Sequence, residues 1–417
     1  MFISKNNKNI LYVVIILGLV SLVLSAYLGE DSLGGARHDY LFHEKFIIAF
    51  SENFKQTINQ YGNNFEVRNS PIFYIYSSLF VKNGVKIEYL KYFNLIIIIP
   101  LIIFFIKSID LKFKDISIQA KSFLILLVFL SPTIRSLSAW PYPLSWAICF
   151  FLISIYYFLK FEKSKNNHKK IKYSLINILF LALSAYFTPN FSIFAIFYLF
   201  YFLKYFKLSN QSILIIFTNI ILSLPAIFFF INKDFYIFKH EADYVIQNYS
   251  IYDTINVANK IIIITSIIFF FFIPFVKIEN LKLNFFSKAN IYLGLFIIIN
   301  IIFFNFSKGL GGGLFYHLSN MFSGGPYLLF FIFILALLIF KNYGLFNPNN
   351  IFLFFLLIFY NIQSTIYLKY YDPIILFIFL FLIKTKIHLK LETLSLRCVI
   401  FYLFFLSISF GKKFIVY

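Results

Sequence analysis

Apolar residues in this chain come in blocks that are long enough to cross a lipid bilayer. Examples are residues 94–106, 212–231 and 351–368. A helix needs about 20 apolar residues to span the hydrocarbon core, and fewer where polar residues flank it. Hydrophobic residues make up 60% of the 417 residues and charged residues only 13%, whereas soluble domains carry about 25% charged residues. The sequence therefore predicts an all-α, polytopic integral membrane protein.

About 13 transmembrane helices are predicted from the alternation of apolar blocks with short polar segments. Pro-Asn and Asn-Pro pairs punctuate this pattern, as at Pro189-Asn190 and Asn347-Pro348. Residues 71–81 are also apolar, but we predict that they form a juxtamembrane or re-entrant segment, because a crossing there would reverse the side of every later loop. The predicted spans are residues 10–28, 92–106, 122–134, 144–159, 173–188, 190–203, 212–231, 261–276, 290–306, 327–340, 351–367, 373–383 and 398–411.

The basic residues indicate the orientation of these spans. With the N-terminus inside, the inner segments hold 22 of the 37 basic residues and five of the 17 acidic residues. The inner face then has a net charge of +17 and the outer face a net charge of +3. Cytoplasmic loops carry an excess of Lys and Arg, so we predict a cytoplasmic N-terminus. Because the basic residues form short clusters between apolar blocks, the total of +20 does not indicate a nucleic-acid partner.

The first outer loop, residues 29–91, holds the densest group of polar residues. Arg37, His38, Asp39 and His43 lie within two helical turns of one another, and a spacing of four places Asp39 and His43 on one face of a helix. The Asp39 carboxylate can act as a general base that takes a proton from an attacking hydroxyl. It can equally act as the N-cap of a helix that begins at the next residue, and the sequence leaves both readings open.

Large apolar residues recur at every fourth position of this loop, with charged residues between them. This pattern predicts an amphipathic helix that lies on the membrane surface. The repeating residues are Phe42, Phe46, Phe50, Phe54 and Ile58.

This layout resembles the GT-C superfamily of membrane glycosyltransferases, which take sugars from polyprenyl-phosphate carriers. In that superfamily the first span is followed by a long outer loop with an acidic catalytic residue and juxtamembrane helices. Asp39-Tyr40-Leu41-Phe42-His43 resembles its acid-containing motif, and is similar to the Asp-x-x-Phe-His form of some eukaryotic lipid-linked oligosaccharide glucosyltransferases. Residues 69–75 resemble the Pro- and Tyr-rich segment that closes the loop, and residues 131–143 resemble the second outer loop.

The resemblance covers residues 1–207, which we predict to form a GT-C-like catalytic module. Residues 208–417 are predicted to form a variable transmembrane module within the same membrane domain. The resemblance implies a protein of the bacterial inner (plasma) membrane whose catalytic loop faces the outer, periplasmic side. Its partners would be a polyprenyl-phosphate-linked sugar donor, a glycan or lipid acceptor, and the surrounding membrane lipids.

The resemblance also implies a role for Asp39 as the catalytic base. Many relatives carry a second acid in the second outer loop that helps to bind a divalent metal, but residues 131–143 contain no Asp or Glu. We therefore expect a reaction without a metal cofactor. His240, Glu241 and Asp243 fit no metal-ligand spacing, and a solvated loop is the favoured interpretation of these residues.

The leaving phosphate of such a donor needs cations or hydrogen-bond donors at the membrane surface. Arg135 is the only charged residue in residues 131–143, so it is a candidate, with interfacial anchoring as its alternative role. Lys369 and His317 lie in later outer loops, and ordinary interfacial roles are favoured for both. The predicted substrate-binding residues are His38, His43, Arg37, Arg135, Lys369 and His317.

Two other functions remain open. An O-antigen-type polymerase or ligase would use polyprenyl-pyrophosphate oligosaccharides, but its outer loops typically depend on arginine, and only Arg37, Arg68 and Arg135 lie outside here. A lipid or solute transporter would usually carry ionisable groups inside its spans. The predicted spans contain essentially none, and this counts against a transporter.

Overall fold

The computed structural model of the protein describes residues 3–32, 34–62, 69–232, 256–277, 288–307, 311–361, 365–385 and 390–415. Throughout these residues the chain is helical and forms no β-strand. Seven helices are long and apolar enough to cross a membrane, and an eighth span results if one bent helix pair counts as a single crossing. The all-α fold class is thus confirmed, and the long apolar helices are those of a membrane-embedded chain.

The predicted number of 13 spans is not confirmed. Several predicted spans correspond to helices that are too short to cross alone, such as Ile291–Ile302, Tyr327–Asn342 and Pro348–Tyr360. The segment predicted to be juxtamembrane or re-entrant forms the separate helix Ile72–Lys82, whose 11 residues are also fewer than a span needs.

The chain divides into two compact units. One combines Met1–Tyr236 with Lys390–Tyr417, and the other is Ile237–Leu389. The predicted boundary between residues 207 and 208 concerns function and stays a prediction. The described helices of the first unit are α1 Ile3–Leu28, α2 Ala36–Glu52, α3 Phe54–Gln60, α4 Ile72–Lys82, α5 Leu90–Leu95, α6 Ile98–Lys112, α7 Ile118–Leu130, α8 Pro132–Ala139, α9 Pro143–Lys163, α10 Asn167–Phe187, α11 Phe194–Phe206, α12 Asn210–Asn232 and, at the C-terminus, α19 Leu391–Ile415.

The second unit has shorter helices. They are α13 Val257–Phe272, α14 Lys288–Ile302, α15 Gly313–Ser323, α16 Tyr327–Asn342, α17 Pro348–Tyr360 and α18 Ile374–Phe377. A π-helical turn, Ile378–Leu382, continues α18. Within this unit α13 packs against α16, α15 and α17.

Helix α9 forms the centre of the first unit. It is buried around most of its circumference, and α6 and α10 pack against it. Helix α1 packs against α7 and α8, while the C-terminal α19 packs against α7. The first span and the last span of the chain therefore both contact α7, although they lie at opposite ends of the sequence.

A sharp bend separates α7 from α8. The two helices differ in direction by 51°. At the bend Ser131 is the N-cap of α8, and its hydroxyl accepts a hydrogen bond from the Ile134 amide at 3.1 Å. Pro132 follows at the first helical position, which suits a residue without an amide hydrogen. The cap at Ser131 and the proline at position 132 therefore end α7 and begin α8 in a new direction. Arg135 lies one turn beyond the bend.

A close contact between α1 and α7 gives a stability prediction. A methyl group added at Gly18 would overlap the buried ring of Phe129. We expect Gly18→Ala to lower the free energy of unfolding by about 1–3 kcal/mol, because the ring must shift in a packed core. Thermal unfolding of the detergent-solubilised protein measures this effect.

The matched control is Gly294→Ala. Nothing lies within 4 Å of a methyl group at that helical position, so the change should stay within about 1 kcal/mol. Equal stability of the Gly18→Ala variant and the wild type would contradict the packing of α1 against α7.

Candidate functional site

The N-terminus of α2 is built by Asp31 and Gly35. Gly35 is the N-cap and has a φ of 91°, a left-handed conformation that favours glycine. The Asp31 carboxylate accepts hydrogen bonds from the amides of Gly35 at 3.0 Å, Ala36 at 3.1 Å and Arg37 at 3.4 Å. The alternative reading of Asp39 as the N-cap is therefore wrong, because the helix begins three residues before it.

Asp39 lies in the first turn of α2. Its side chain is half-buried, whereas the neighbouring Arg37 and His38 are exposed. The positive end of the helix dipole stabilises a carboxylate at this position. The three residues thus place one acidic and two basic side chains together at the start of α2.

His43 lies on the buried face of α2. Only 4% of its surface is exposed, and its Nδ1 is 2.7 Å from the hydroxyl of Tyr74 on α4. Its ring also meets the Tyr142 ring edge-on, at a centroid distance of 4.4 Å. These contacts join α2 to α4 and to the segment before α9. The predicted contact of His43 with a substrate stays a prediction, and its observed contacts are with the fold.

The strongest polar contact between distant parts of the first unit is the ion pair of Glu30 and Arg135. Arg135 Nε donates to Glu30 Oε1 at 2.8 Å, and Nη2 donates to Oε2 at 2.6 Å. The side chains are 15% exposed for Arg135 and 8% for Glu30. Two parallel hydrogen bonds to one carboxylate are the strongest arrangement that a guanidinium forms with a single side chain.

Further hydrogen bonds surround this pair. Ser21 Oγ and the Phe129 carbonyl accept from Arg135 Nη1 at 3.3 and 3.4 Å. The Ser25 hydroxyl donates to the Arg135 carbonyl at 3.2 Å, and the Trp140 indole donates to the Glu30 carbonyl at 3.1 Å. Both backbone and side chain of the two charged residues are thus held between the end of α1 and helix α8.

The pKa of the Glu30 carboxyl is lowered. Burial, the largest single effect, opposes ionisation, but it is outweighed by the hydrogen bonds and charge of Arg135 together with hydrogen bonds from Ser25 and Ser32. Glu30 is therefore ionised at neutral pH, and the pair is a true ion pair.

Trp140 connects the ion pair to α2. The Arg37 guanidinium lies 5.8 Å from the centre of the indole ring, and the Tyr40 ring lies at the same centroid distance. The structure therefore brings Glu30, Arg135 and Trp140 together with the first turn of α2. From the sequence, Glu30 and Asp31 are rival candidates for the general base or plain interfacial residues, and neither the pairing of Glu30 with Arg135 nor a role for Trp140 is predicted. Two sequence features could have indicated this ion pair. One is an acid just after the first span, and the other is the lone arginine in residues 131–143.

Two carboxylates, Glu44 on α2 and Glu88 in the turn Ile87–Tyr89, influence each other electrostatically. Burial and, next, the charge of Glu88 raise the pKa of the Glu44 carboxyl. The same two carboxylates, after burial, raise the pKa of the Tyr40 hydroxyl. In the parts of the chain that the structure describes, no group of three or more His, Cys, Asp or Glu residues is placed to hold a metal ion.

Two predicted substrate-binding residues belong to the second unit. The Lys369 ammonium lies 5.3 Å from the Tyr367 ring centre and 5.8 Å from that of Tyr370. His317 is exposed on α15, so its predicted place in a loop is wrong. The helix forms because Gly312, in the left-handed conformation, acts as its N-cap. The convergence of these residues with Asp39 stays a prediction, and residues 240–243 lie outside the described residues.

The second unit also contains a buried cation that the sequence placed outside a span. Helix α13 begins at Val257, so Lys260 falls within its first turn. Lys260 is buried, and its ammonium donates to the Asn361 carbonyl at 2.7 Å. The expectation that the spans lack ionisable groups therefore fails at this residue.

Comparison with known proteins gives no match: no protein-family model, curated protein or solved structure resembles the chain significantly.

The lowered pKa of Glu30 predicts an acid-sensitive stability. Its ionised form is favoured in the folded state, so its contribution is complete above the ordinary pKa of 4.5 and is lost as the pH falls below that value. We expect the unfolding temperature to fall as the pH is lowered below 4.5, and Glu30→Gln to reduce this fall. An identical pH profile for variant and wild type would contradict the ion pair.

The bond between His43 and Tyr74 predicts a further effect on stability. Tyr74→Phe removes the hydroxyl without changing the shape of the ring, so we expect a loss of about 1 kcal/mol. The control is Tyr76→Phe, because Tyr76 lies on the same helix with 37% of its surface exposed. Equal unfolding temperatures for the two variants would show that this hydrogen bond does not hold α2 against α4.

Proposed function

We propose that this chain is a membrane glycosyltransferase of the GT-C type. It would move a sugar from a polyprenyl-phosphate donor to a hydroxyl of a lipid-linked glycan, a lipid or a surface polymer. The reaction would take place at the outer face of a bacterial inner membrane. Asp39 is the proposed general base.

The observation that supports this proposal best is the environment of Asp39. It lies in the first turn of a helix that directly follows the first long apolar helix, and it is half-buried beside exposed Arg37 and His38. The turn is fixed by Asp31 at its start and by the contact of Tyr40 with Trp140. A general base must be both accessible and held in place, and Asp39 meets both requirements.

The chemistry follows from these positions. The Asp39 carboxylate would take the proton of the acceptor hydroxyl as its oxygen attacks the anomeric carbon of the donor sugar. The bond from that carbon to the phosphate oxygen would break, and the polyprenyl phosphate would leave with the electron pair. Attack from the face opposite the leaving group inverts the anomeric configuration. Cationic groups near the phosphate would stabilise its developing charge.

Arg37, His38 and Arg135 are the proposed phosphate-binding groups of the first unit, and Lys369 and His317 stay predicted substrate-binding residues of the second unit. Arg135 already carries a carboxylate partner. A phosphate can therefore bind its guanidinium only by sharing it with Glu30 or by replacing Glu30.

An Asp39→Asn variant tests the proposed base. The amide keeps the size of the side chain but cannot take a proton, so we expect transfer to fall by about 100- to 10,000-fold. Transfer is measured with the purified protein in lipid nanodiscs, using polyprenyl-phosphate sugars and a mixture of lipid-linked acceptors, with products detected by mass spectrometry.

The control is Glu52→Gln, which neutralises an exposed carboxylate at the far end of the same helix. It should leave transfer unchanged. Full transfer by a folded Asp39→Asn variant would overturn the assignment. Mass spectrometry of co-purified lipid supplies a second test: a monophosphate sugar supports the proposal, whereas a pyrophosphate oligosaccharide favours a polymerase or ligase.

A further inference from the structure

We propose that Glu30 is an internal anion that occupies the phosphate-binding guanidinium of Arg135, and that a phosphate group exchanges with it. The inference rests on the proposed function for the identity of the phosphate, and it goes beyond that function by assigning a competing role to Glu30. In this role Glu30 is a positioning residue and does not touch the reacting atoms.

The geometry of the pair supports an exchange. A carboxylate and a phosphate both present two oxygens to the Nε and Nη2 edge of a guanidinium in a bidentate arrangement. Glu30 uses this edge, with distances of 2.8 and 2.6 Å. The binding surface that a phosphate needs is therefore already formed, and Glu30 fills it.

Arg135 is held independently of Glu30. Its Nη1 donates to Ser21 and to the Phe129 carbonyl, and its own carbonyl accepts from Ser25. It also lies within helix α8. When Glu30 leaves, these contacts keep the guanidinium in place, so that it remains ready for another anion.

Glu30 is the partner that can move. It lies between the end of α1 at Leu28 and the start of α2 at Ala36, outside both helices. Its carbonyl accepts a hydrogen bond from the Trp140 indole, and this contact does not depend on the position of the carboxylate. The 8% exposure of this side chain places it at the edge of the buried region.

Exchange would also alter the segment that carries Asp39. The ion pair joins the connection between α1 and α2 to helix α8. This connection leads into the first turn of α2, which starts five residues after Asp31. A phosphate on Arg135 would release the ion pair that ties Glu30 to α8 and leave the backbone hydrogen bonds of Glu30 with Trp140 and Ser25. Arrival of the donor would thereby be coupled to the position of the first outer loop.

Binding measurements on two variants test the exchange. Glu30→Gln removes the competing charge, and if the free guanidinium is present in about one tenth of the molecules, binding should tighten by about tenfold. Arg135→Gln removes the receptor and should weaken binding by tenfold or more. The probe is polyprenyl phosphate added to the protein in neutral-lipid nanodiscs, with the matching polyprenol as the control that lacks a phosphate.

An exchange predicts tighter phosphate binding in the Glu30→Gln variant and weaker binding in the Arg135→Gln variant. A purely structural ion pair would not change binding in opposite directions. If both variants weaken binding, or if neither changes it, the proposal is overturned. Asp110→Asn, which breaks a different ion pair in the first unit, with Lys121 at 2.6 Å, should leave binding unchanged. A measurement with inorganic phosphate in place of the lipid shows whether a free phosphate ion also exchanges with Glu30 or only a lipid head group does.

Hydrogen–deuterium exchange of the wild-type protein keeps the test decisive if Glu30→Gln does not fold. Polyprenyl phosphate should speed amide exchange in peptides that contain residues 29–32, and polyprenol should not. No change with either lipid would overturn the proposal. The activity of the Asp39→Asn variant is independent of this result, so failure of the exchange and failure of the proposed transferase function are distinguishable.

Discussion

The arrangement of the first outer loop depends on one ion pair between residues that are 105 positions apart in sequence. Glu30 comes directly after the first span, and Arg135 follows the sharp bend between α7 and α8. Their contact closes the α1–α2 connection onto α8, and Trp140 extends the closure to the first turn of α2. The packing of α2 on α4 and the contact of His43 with Tyr142 also help to position α2 and therefore Asp39.

Such a pair is not a simple source of stability. Removing two charges from water costs about as much as their attraction returns, and breaking one partner of a buried pair costs far more than the pair itself contributes. A pair of this kind acts mainly as a specific connection. Its location at the outer end of α1, beside an exposed cluster of Arg37 and His38, explains why we assign it a role in anion binding as well as in folding.

The sequence predicted the helical class and the helix in the first outer loop, because both are local properties. It was less successful with the buried face of that helix. A repeat of four residues advances about 40° per step around a helix of 3.6 residues per turn, so the apolar stripe rotates away from one side. On α2, Phe46 and Phe50 are buried and Phe42 is exposed, and the exposed Phe54 belongs to the separate helix α3. The predicted number of spans is also not confirmed. Several predicted spans fall on helices that are too short to cross alone, because hydropathy does not reveal where a helix ends.

The site was predictable only in its local part. Arg37, His38 and Asp39 stand together in the sequence, and they stand together on α2. The pairing of Glu30 with Arg135, the contact of His43 with Tyr74 and the burial of Lys260 arise from long-range packing, which no local pattern encodes. Asp31 illustrates the same point within a single loop. Its role as the cap of α2 depends on the left-handed turn at Gly35, whereas the sequence pattern alone offered Asp39 as a candidate for that role.

An experimental structure of the protein with bound polyprenyl phosphate in nanodiscs tests the central claim most directly. The account predicts a phosphate in hydrogen-bond contact with the Arg135 guanidinium, the Glu30 side chain turned away, and Asp39 facing the same outer-surface cavity. A lipid phosphate bound elsewhere, with the bond between Glu30 and Arg135 intact, would contradict it.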